Sequence, residues 1–367
     1  MSTRRNFIKS ASAAATGIVF CNCGLLEAAH AQQPGGRRLP VAVNGKRIKT
    51  IDVHAHCYFR ESASLLGEEL SILTPPIKGA PEAFIEIETR FKAMDAQGVD
   101  MEVLSISPFW YSKDRDLAGQ IVKIQNEKLA ELCAAHPDRF AAFASLTLQA
   151  PDLAVQELET AIKKQGLRGA AIGGIVNGVE FSDPKFHPVW AKAEELGAVL
   201  CIHPTVIGGV SELSSRLSGN GWLGNTIAVP LETTVVLSHL IFEGTLDRFP
   251  GLKILSPHGG GYLPSYADRS DYACSVAPAF CNPNVTLKKE PTEYLKQLYY
   301  DSIIFSPEAI RHLVAQVGVG QIVMGSDYPY QWELHPVDRI FACTFLSDEE
   351  KAAILGNTAA KLLNIQT

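Results

Sequence analysis

Five side chains of metal-binding type stand at the ends of short apolar runs. One run closes Asp52-Val53-His54-Ala55-His56, a second Cys201-Ile202-His203-Pro204, a third Ser256-Pro257-His258-Gly259-Gly260-Gly261 and a fourth Gly325-Ser326-Asp327-Tyr328-Pro329. In an extended strand, side chains two apart share a face, so His54 and His56 can point at one ion. Imidazole and carboxylate donors suit zinc, with iron, manganese or cobalt as alternative loads. Three histidines and an aspartate with a position left for water make an arrangement for catalysis, because a bound divalent ion lowers the pKa of that water towards about 7. A lone histidine is more often a core or capping residue. The H-x-H at a run's end, together with the other three, carries the metal reading.

Eight strand-like runs occur at 48–53, 101–106, 140–146, 170–172, 198–202, 252–255, 298–301 and 321–324. Helical spacing fills the gaps at 84–97, 116–135, 152–165, 186–196 and 231–249, and final helices begin near Ser347 and Asn357. Apolar strands alternating with helices predict a closed parallel (β/α)8 barrel over 48–367, whose strand C-termini carry the function. An open doubly wound sheet is the alternative, but no G-x-G-x-x-G follows the first run.

The 367 residues are 46% hydrophobic and 20% charged, which supports a sizeable core and excludes disorder and fibrous repeats. The net charge of −6 argues against nucleic acid or an anionic membrane as the main partner. Eight cysteines, single apart from Cys21 and Cys23, are too sparse for a disulfide scaffold and lack zinc-finger spacing. Residues 1–31 read as a twin-arginine export signal: Arg4-Arg5-Asn6-Phe7-Ile8-Lys9, an apolar run from Ala11 to Phe20, and an A-x-A site at Ala29-His30-Ala31. A periplasmic mature chain starting near Gln32 is the expectation, with 30 basic and 38 acidic side chains, net −8. No later stretch is expected to span a membrane, and 32–47 reads as a linker.

The set His54-x-His56, His203, His258-Gly259-Gly260-Gly261 and Gly325-Ser326-Asp327-Tyr328-Pro329 resembles the amidohydrolase superfamily, in the branch containing aminocarboxymuconate-semialdehyde decarboxylase and related aromatic-acid decarboxylases. The likeness extends from about Thr50 to Leu363 through Met94-Asp95-Ala96-Gln97-Gly98-Val99, Pro230-Leu231-Glu232-Thr233-Thr234 and Phe249-Pro250-Gly251-Leu252-Lys253. The resemblance implies that His54, His56, His203 and Asp327 hold one divalent metal, first of all zinc. It implies that His258 is the adjacent acid/base and that Arg269 reaches a neighbouring subunit's site to hold a carboxylate, hence a homodimer. The simpler reading of Arg269 is an ion pair with Asp268 or Asp271. The sequence departs from the decarboxylase pattern at 62–81, where Lys78 alone stands for a basic insert. No lysine closes the fourth run, which disfavours a carbamylated-lysine binuclear site.

Trp110, Tyr111, Trp222, Tyr328 and Trp332 fall on loops at the active face, with Trp222 and Tyr328 the expected stacking partners of a planar substrate. His335 is a further mouth candidate, and His239 reads as core. The expected activity is non-oxidative decarboxylation of an aromatic or unsaturated carboxylic acid, with His258 and Asp327 managing the proton that replaces CO2. The alternative is hydrolysis of an amide, ester or lactone by the same side chains. The remaining one is an exported binding protein that has lost catalysis.

Overall fold

Eight parallel strands wind in sequence order around a barrel in the computed structural model, which describes residues 40–69, 84–205 and 214–366. They are β3 (Ile51–His56), β4 (Met101–Ser105), β5 (Phe140–Ala142), β6 (Gly169–Ile172), β7 (Val199–Ile202), β8 (Lys253–Ser256), β9 (Tyr299–Asp301) and β10 (Ile322–Val323). Strands β3 to β5 form one ladder and β6 to β10 another. Parallel bridges Ala144↔Ala170 and Ala55↔Tyr328 join the two at both seams, so the ring closes. A short antiparallel hairpin, β1 (Ala42–Val43) and β2 (Lys46–Arg47), precedes it. The described part of the expected linker is therefore folded. The export signal, the rest of that linker and Lys78 lie outside the described residues.

Two apolar layers hold the barrel together. A smaller cluster fills its inside with Ile51, Val53, Met101, Val103, Phe143, Val199, Leu255 and Val323, and Leu362 and Leu363 of the last helix (Thr358–Leu363) plug it. A larger cluster, including Leu104, Ala142, Ile172, Leu200 and Ile254, packs the outer strand faces against the helices. Those helices include α1 (Ile87–Gln97), α2 (Arg115–Ala135), α3 (Pro151–Lys163), α4 (His187–Leu196), α5 (Ala228–Phe242), α6 (Leu263–Asp271) and α7 (Pro307–Val317). Their ends follow local chemistry: the Asp114 side chain accepts from the N–H groups of Asp116 and Leu117 at the start of α2, and Gly98 ends α1 in the left-handed region.

One irregularity aims the chemistry. Asp52 pairs with Glu102, but the next pair is Ala55 with Leu104, so β3 carries one extra residue there. A bulge of this kind reverses the alternation of faces. Ile51 and Val53 point inward before it, and His54 and His56 also point inward after it, where they meet His203. Without the extra residue, a strand that buries Val53 inside would turn both histidines outward.

Several boundaries differ from the sequence reading. The first barrel strand begins at Ile51 and runs through His56 rather than 48–53, because polar but buried residues continue it. The helix expected at 231–249 is α5, broken at Gly244 (φ 73°) before a short turn Thr245–Arg248. Leu223–Phe242 is long and apolar enough to cross a membrane, contrary to expectation. Here it is two helical pieces, Leu223–Thr226 and α5, and Val236, Leu237, Leu240 and Ile241 of the second are buried. One local disulfide, Cys274–Cys281, crosses the turns that follow α6, a pairing that the sequence reading did not name.

Candidate metal centre

The five candidate donors converge on the C-terminal mouth of the barrel. Ring centroids lie 5.0 Å apart for His54–His56, 5.0 Å for His54–His203, 4.7 Å for His56–His203, 5.2 Å for His54–His258 and 5.4 Å for His203–His258. Donor atoms of His54, His203, His258 and Asp327 all fall within 4.8 Å of one another. His56 joins them through short edges: its Nε2 is 3.1 Å from His54 Nε2 and 2.9 Å from Asp327 Oδ1, which is 3.3 Å from His54 Nε2. Donors bound to one ion at about 2.1 Å stand about 3.0–3.4 Å apart, for right-angled to tetrahedral angles. That spacing fits a single shared cation.

Electrostatics point the same way. Burial works against a charged His54, yet Asp327 and Asp301 together push it up to about 10, so this space favours positive charge. Burial also opposes ionisation of Asp327, but His54 and His56 hold it well below the usual carboxylate range. Burial, reinforced by the neighbouring imidazoles, keeps His203 far below its ordinary value and lowers His258 to about 4. Burial lowers His56 against the attraction of Asp327. His56, His203 and His258 are thus neutral around an anionic carboxylate, the states that metal ligation requires, and a bound cation would take the place of the extra His54 proton. The Nδ1 atoms of His56, His203 and His258 are buried without a partner among the described residues.

Neighbouring groups fix the donors. His54 Nδ1 donates to Asp301 Oδ2 at 2.7 Å, and Asp301 Oδ1 accepts from the N–H groups of Gly259 (3.0 Å) and Ile303 (3.1 Å). A carboxylate behind a ligating histidine sets its tautomer and ring orientation. Asp52 accepts from the N–H groups of His54 and Ser326 and from the Ser326 hydroxyl, which ties β3 to the turn that carries Asp327. Asp327 and His258 both adopt left-handed backbone, φ 65° and 55°. For non-glycine residues this costs about 1–2 kcal/mol each and collects at functional sites. The glycines after His258 have a packing cause: a Cβ on Gly260 would stand 2.6 Å from the Tyr300 ring, and one on Gly261 2.1 Å from Pro230 O. Strand β8 can approach β9 and α5 this closely only with hydrogen there.

The mouth is a cavity of about 310 Å³ lined by Phe109, Trp222, Asn225, Tyr330 and Trp332 above His203, His258 and Asp327. Trp222 stacks on Trp332 with centroids 5.6 Å apart and planes at 14°. Tyr328, expected at the mouth, is buried instead beneath the guanidinium of Arg90 at 5.0 Å, and Tyr330, two residues on, takes the lining position. Trp110 and Tyr111 are structural, donating to Leu146 O and accepting from the Gly173 N–H respectively. His335 is exposed beside Asp338, 3.7 Å away, outside the mouth. His239 is not core but half-exposed, 3.9 Å from Glu180. Arg269 is exposed on α6 in a separate groove of about 840 Å³ with Tyr266, Tyr272 and Phe280. It forms no ion pair among the described residues, and Asp271 instead accepts from Thr292.

Asp301, Arg90 and Tyr330 escaped the sequence reading. Asp301 ends a barrel strand as the histidines do, and that rule alone could have found it. Arg90 sits on a helix and Tyr330 lies past the motif, so neither carried a sequence signal.

The match to known proteins follows this geometry. The Amidohydrolase family model matches residues 51–365. The 2-amino-3-carboxymuconate-6-semialdehyde decarboxylase of Dictyostelium discoideum is 30% identical over 282 residues, 76% of each chain. A gamma-resorcylate decarboxylase of Rhizobium radiobacter is 30% identical over 287 residues, 75% of this chain and 86% of its own. Among solved structures, the 5-carboxyvanillate decarboxylase LigW of Sphingomonas paucimobilis superposes with a TM-score of 0.78 at 26% identity, covering 87% of this chain and all of that one. With relatives of this similarity and a family model that spans the whole barrel, the chain belongs to the amidohydrolase family.

Proposed function

We propose that this protein is a metal-dependent, non-oxidative decarboxylase of an aromatic carboxylic acid. One observation carries the reading: the five-donor cluster sits at the base of a small cavity walled by aromatic rings, in a chain whose relatives are decarboxylases. His54, His56, His203 and Asp327 would hold one divalent ion, zinc first, with manganese, iron or cobalt as competing loads. Bound there, the ion would supply Lewis-acid chemistry that draws electron density from the substrate.

The chain's own groups do the rest. Phe109, Tyr330 and the Trp222–Trp332 pair hold a planar ring and exclude water. A cavity of about 310 Å³ is at the small end of the usual ligand range of roughly 300–1,000 Å³ and suits a single ring. His258 delivers a proton from a ring nitrogen to the carbon that bears the carboxylate. The bond to the carboxylate then breaks, its electron pair restores the aromatic ring, and CO2 leaves. Burial and His54 lower His258 to about 4 against Asp327 and Asp301, so it rests neutral and takes up the proton it delivers from solvent once per turnover.

The test is product analysis with 2,6-dihydroxybenzoate, 5-carboxyvanillate and related hydroxybenzoates. The expected result is one CO2 and one decarboxylated arene per substrate consumed. Cleavage of amides or lactones with no CO2 from any acid would replace this reading with hydrolysis.

The same reading makes the enzyme a homodimer. No lysine or arginine lines the mouth among the described residues, which leaves room there for a cation from a second copy. Arg269, exposed among aromatic side chains on an outer face, suits insertion into a second copy's site. Arg269→Ala is expected to raise KM at least tenfold, and sedimentation velocity to give twice the chain mass. A fully active monomer would remove both the dimer and this role.

A further inference from the structure

Arg90 is fully buried on α1, outside the barrel, yet it touches both strand ends that carry donors at the closing seam. One guanidinium nitrogen, Nη1, donates to Glu102 Oε2 on β4 at 2.6 Å, and Nη2 donates to the backbone carbonyl of His56. The guanidinium carbon, Cζ, lies over the ring of Tyr328, the residue after Asp327, 5.0 Å from its centroid. The two ends are also joined by the Ala55↔Tyr328 bridge, by the N–H groups of His56 and Asp327, which donate to Tyr328 O at 2.6 Å and His54 O at 2.9 Å, and by Asp52 accepting from Ser326. A buried ion pair that served stability alone would need only Glu102. Arg90 spends a further donor on the backbone of one metal-binding residue and sets its guanidinium over the neighbour of another. A planar fork can serve three directions at once, which an ammonium cannot.

We infer that Arg90 is a positioning residue that sets the separation of His56 and Asp327, and so the affinity and geometry of the metal centre. The inference rests on the metal reading above. It is tested with Arg90→Met/Glu102→Met, which removes both charges so that neither is left unpaired. Asn126→Ala serves as the comparison: its amide bridges the Ser145 N–H and carbonyl, linking α2 to another strand end without touching a donor. Chelator-treated proteins are titrated with Mn2+ against an indicator, and the visible spectrum of the Co2+ form is recorded.

The double variant is expected to fold, to bind Mn2+ 10–100-fold more weakly and to show shifted Co2+ bands. Asn126→Ala should lower Tm with a Kd within threefold of wild type. If the double variant does not fold, Arg90→Lys carries the same test, since it keeps the charge beside Glu102 and loses the fork. A folded variant with wild-type Kd and spectrum overturns the role of Arg90 alone. Wild-type protein that takes up no Mn2+ overturns the metal reading and this inference with it.

Discussion

Dialysed against a strong chelator, the protein is expected to lose at least 10³-fold of its turnover and to recover it on addition of one equivalent of divalent ion per chain. A 10³-fold loss corresponds to about 4 kcal/mol of barrier, within what a Lewis acid at the reacting group supplies. The geometric ground is the triangle of His54 Nε2, His56 Nε2 and Asp327 Oδ1, with edges of 3.1, 2.9 and 3.3 Å. At 3.1 Å the two ring nitrogens of His54 and His56 share a proton or a cation, and the rise of His54 to about 10 marks this as a place that favours positive charge. His54→Ala should reproduce the loss permanently, with metal content falling from near one per chain to below about one tenth, because Asp301 then has no imidazole to orient. Elemental analysis beside steady-state rates reads both results. Full turnover in demonstrably metal-free protein would contradict the proposed chemistry.

The sequence carried the donor set because a parallel barrel delivers its strand ends to one mouth, so five residues far apart in the chain could be gathered by a single rule. What it could not carry depends on pairing. The bulge between Asp52 and Ala55 is a property of register against Glu102 and Leu104, and nothing in the alternation of one strand announces it. Tyr328 and Tyr330 differ by one alternation after the Asp327 turn, where left-handed backbone and ties to Asp52 and Ser326 decide which ring faces the cavity. Arg90 and Glu102 stand on different elements and carry no motif that links them. Only packing of α1 on β4 makes them a pair. Arg269 faces away from its own chain's mouth, and its suggested place is legible only if a second copy is supplied.

Replacement of His258 by asparagine is expected to lower kcat by 10²–10⁴-fold, the usual range for loss of a proton-transfer group, while metal stays near one per chain. Asparagine is chosen because His258 has a φ of 55°, a region asparagine tolerates better than most residues. Gly259, Gly260 and Gly261 pack too tightly on Ile304, Tyr300 and Pro230 for the backbone to absorb a shift. The variant therefore removes the imidazole with little other change. The outcome also decides between two partitions of the same cluster. The sequence reading places His56 among the ligands and His258 beside them, whereas the tight set of donors contains His258 and reaches His56 through His54 and Asp327. His258 is half-buried at the cavity wall, which suits a group that exchanges protons with substrate. His56 is buried, with Nε2 pressed against both His54 and Asp327, which suits a ligand. His258→Asn that retains metal and loses turnover sustains that division. Loss of metal from His258→Asn, with retention in His56→Asn, would exchange the two roles and leave Asp327 as the group that must carry the proton.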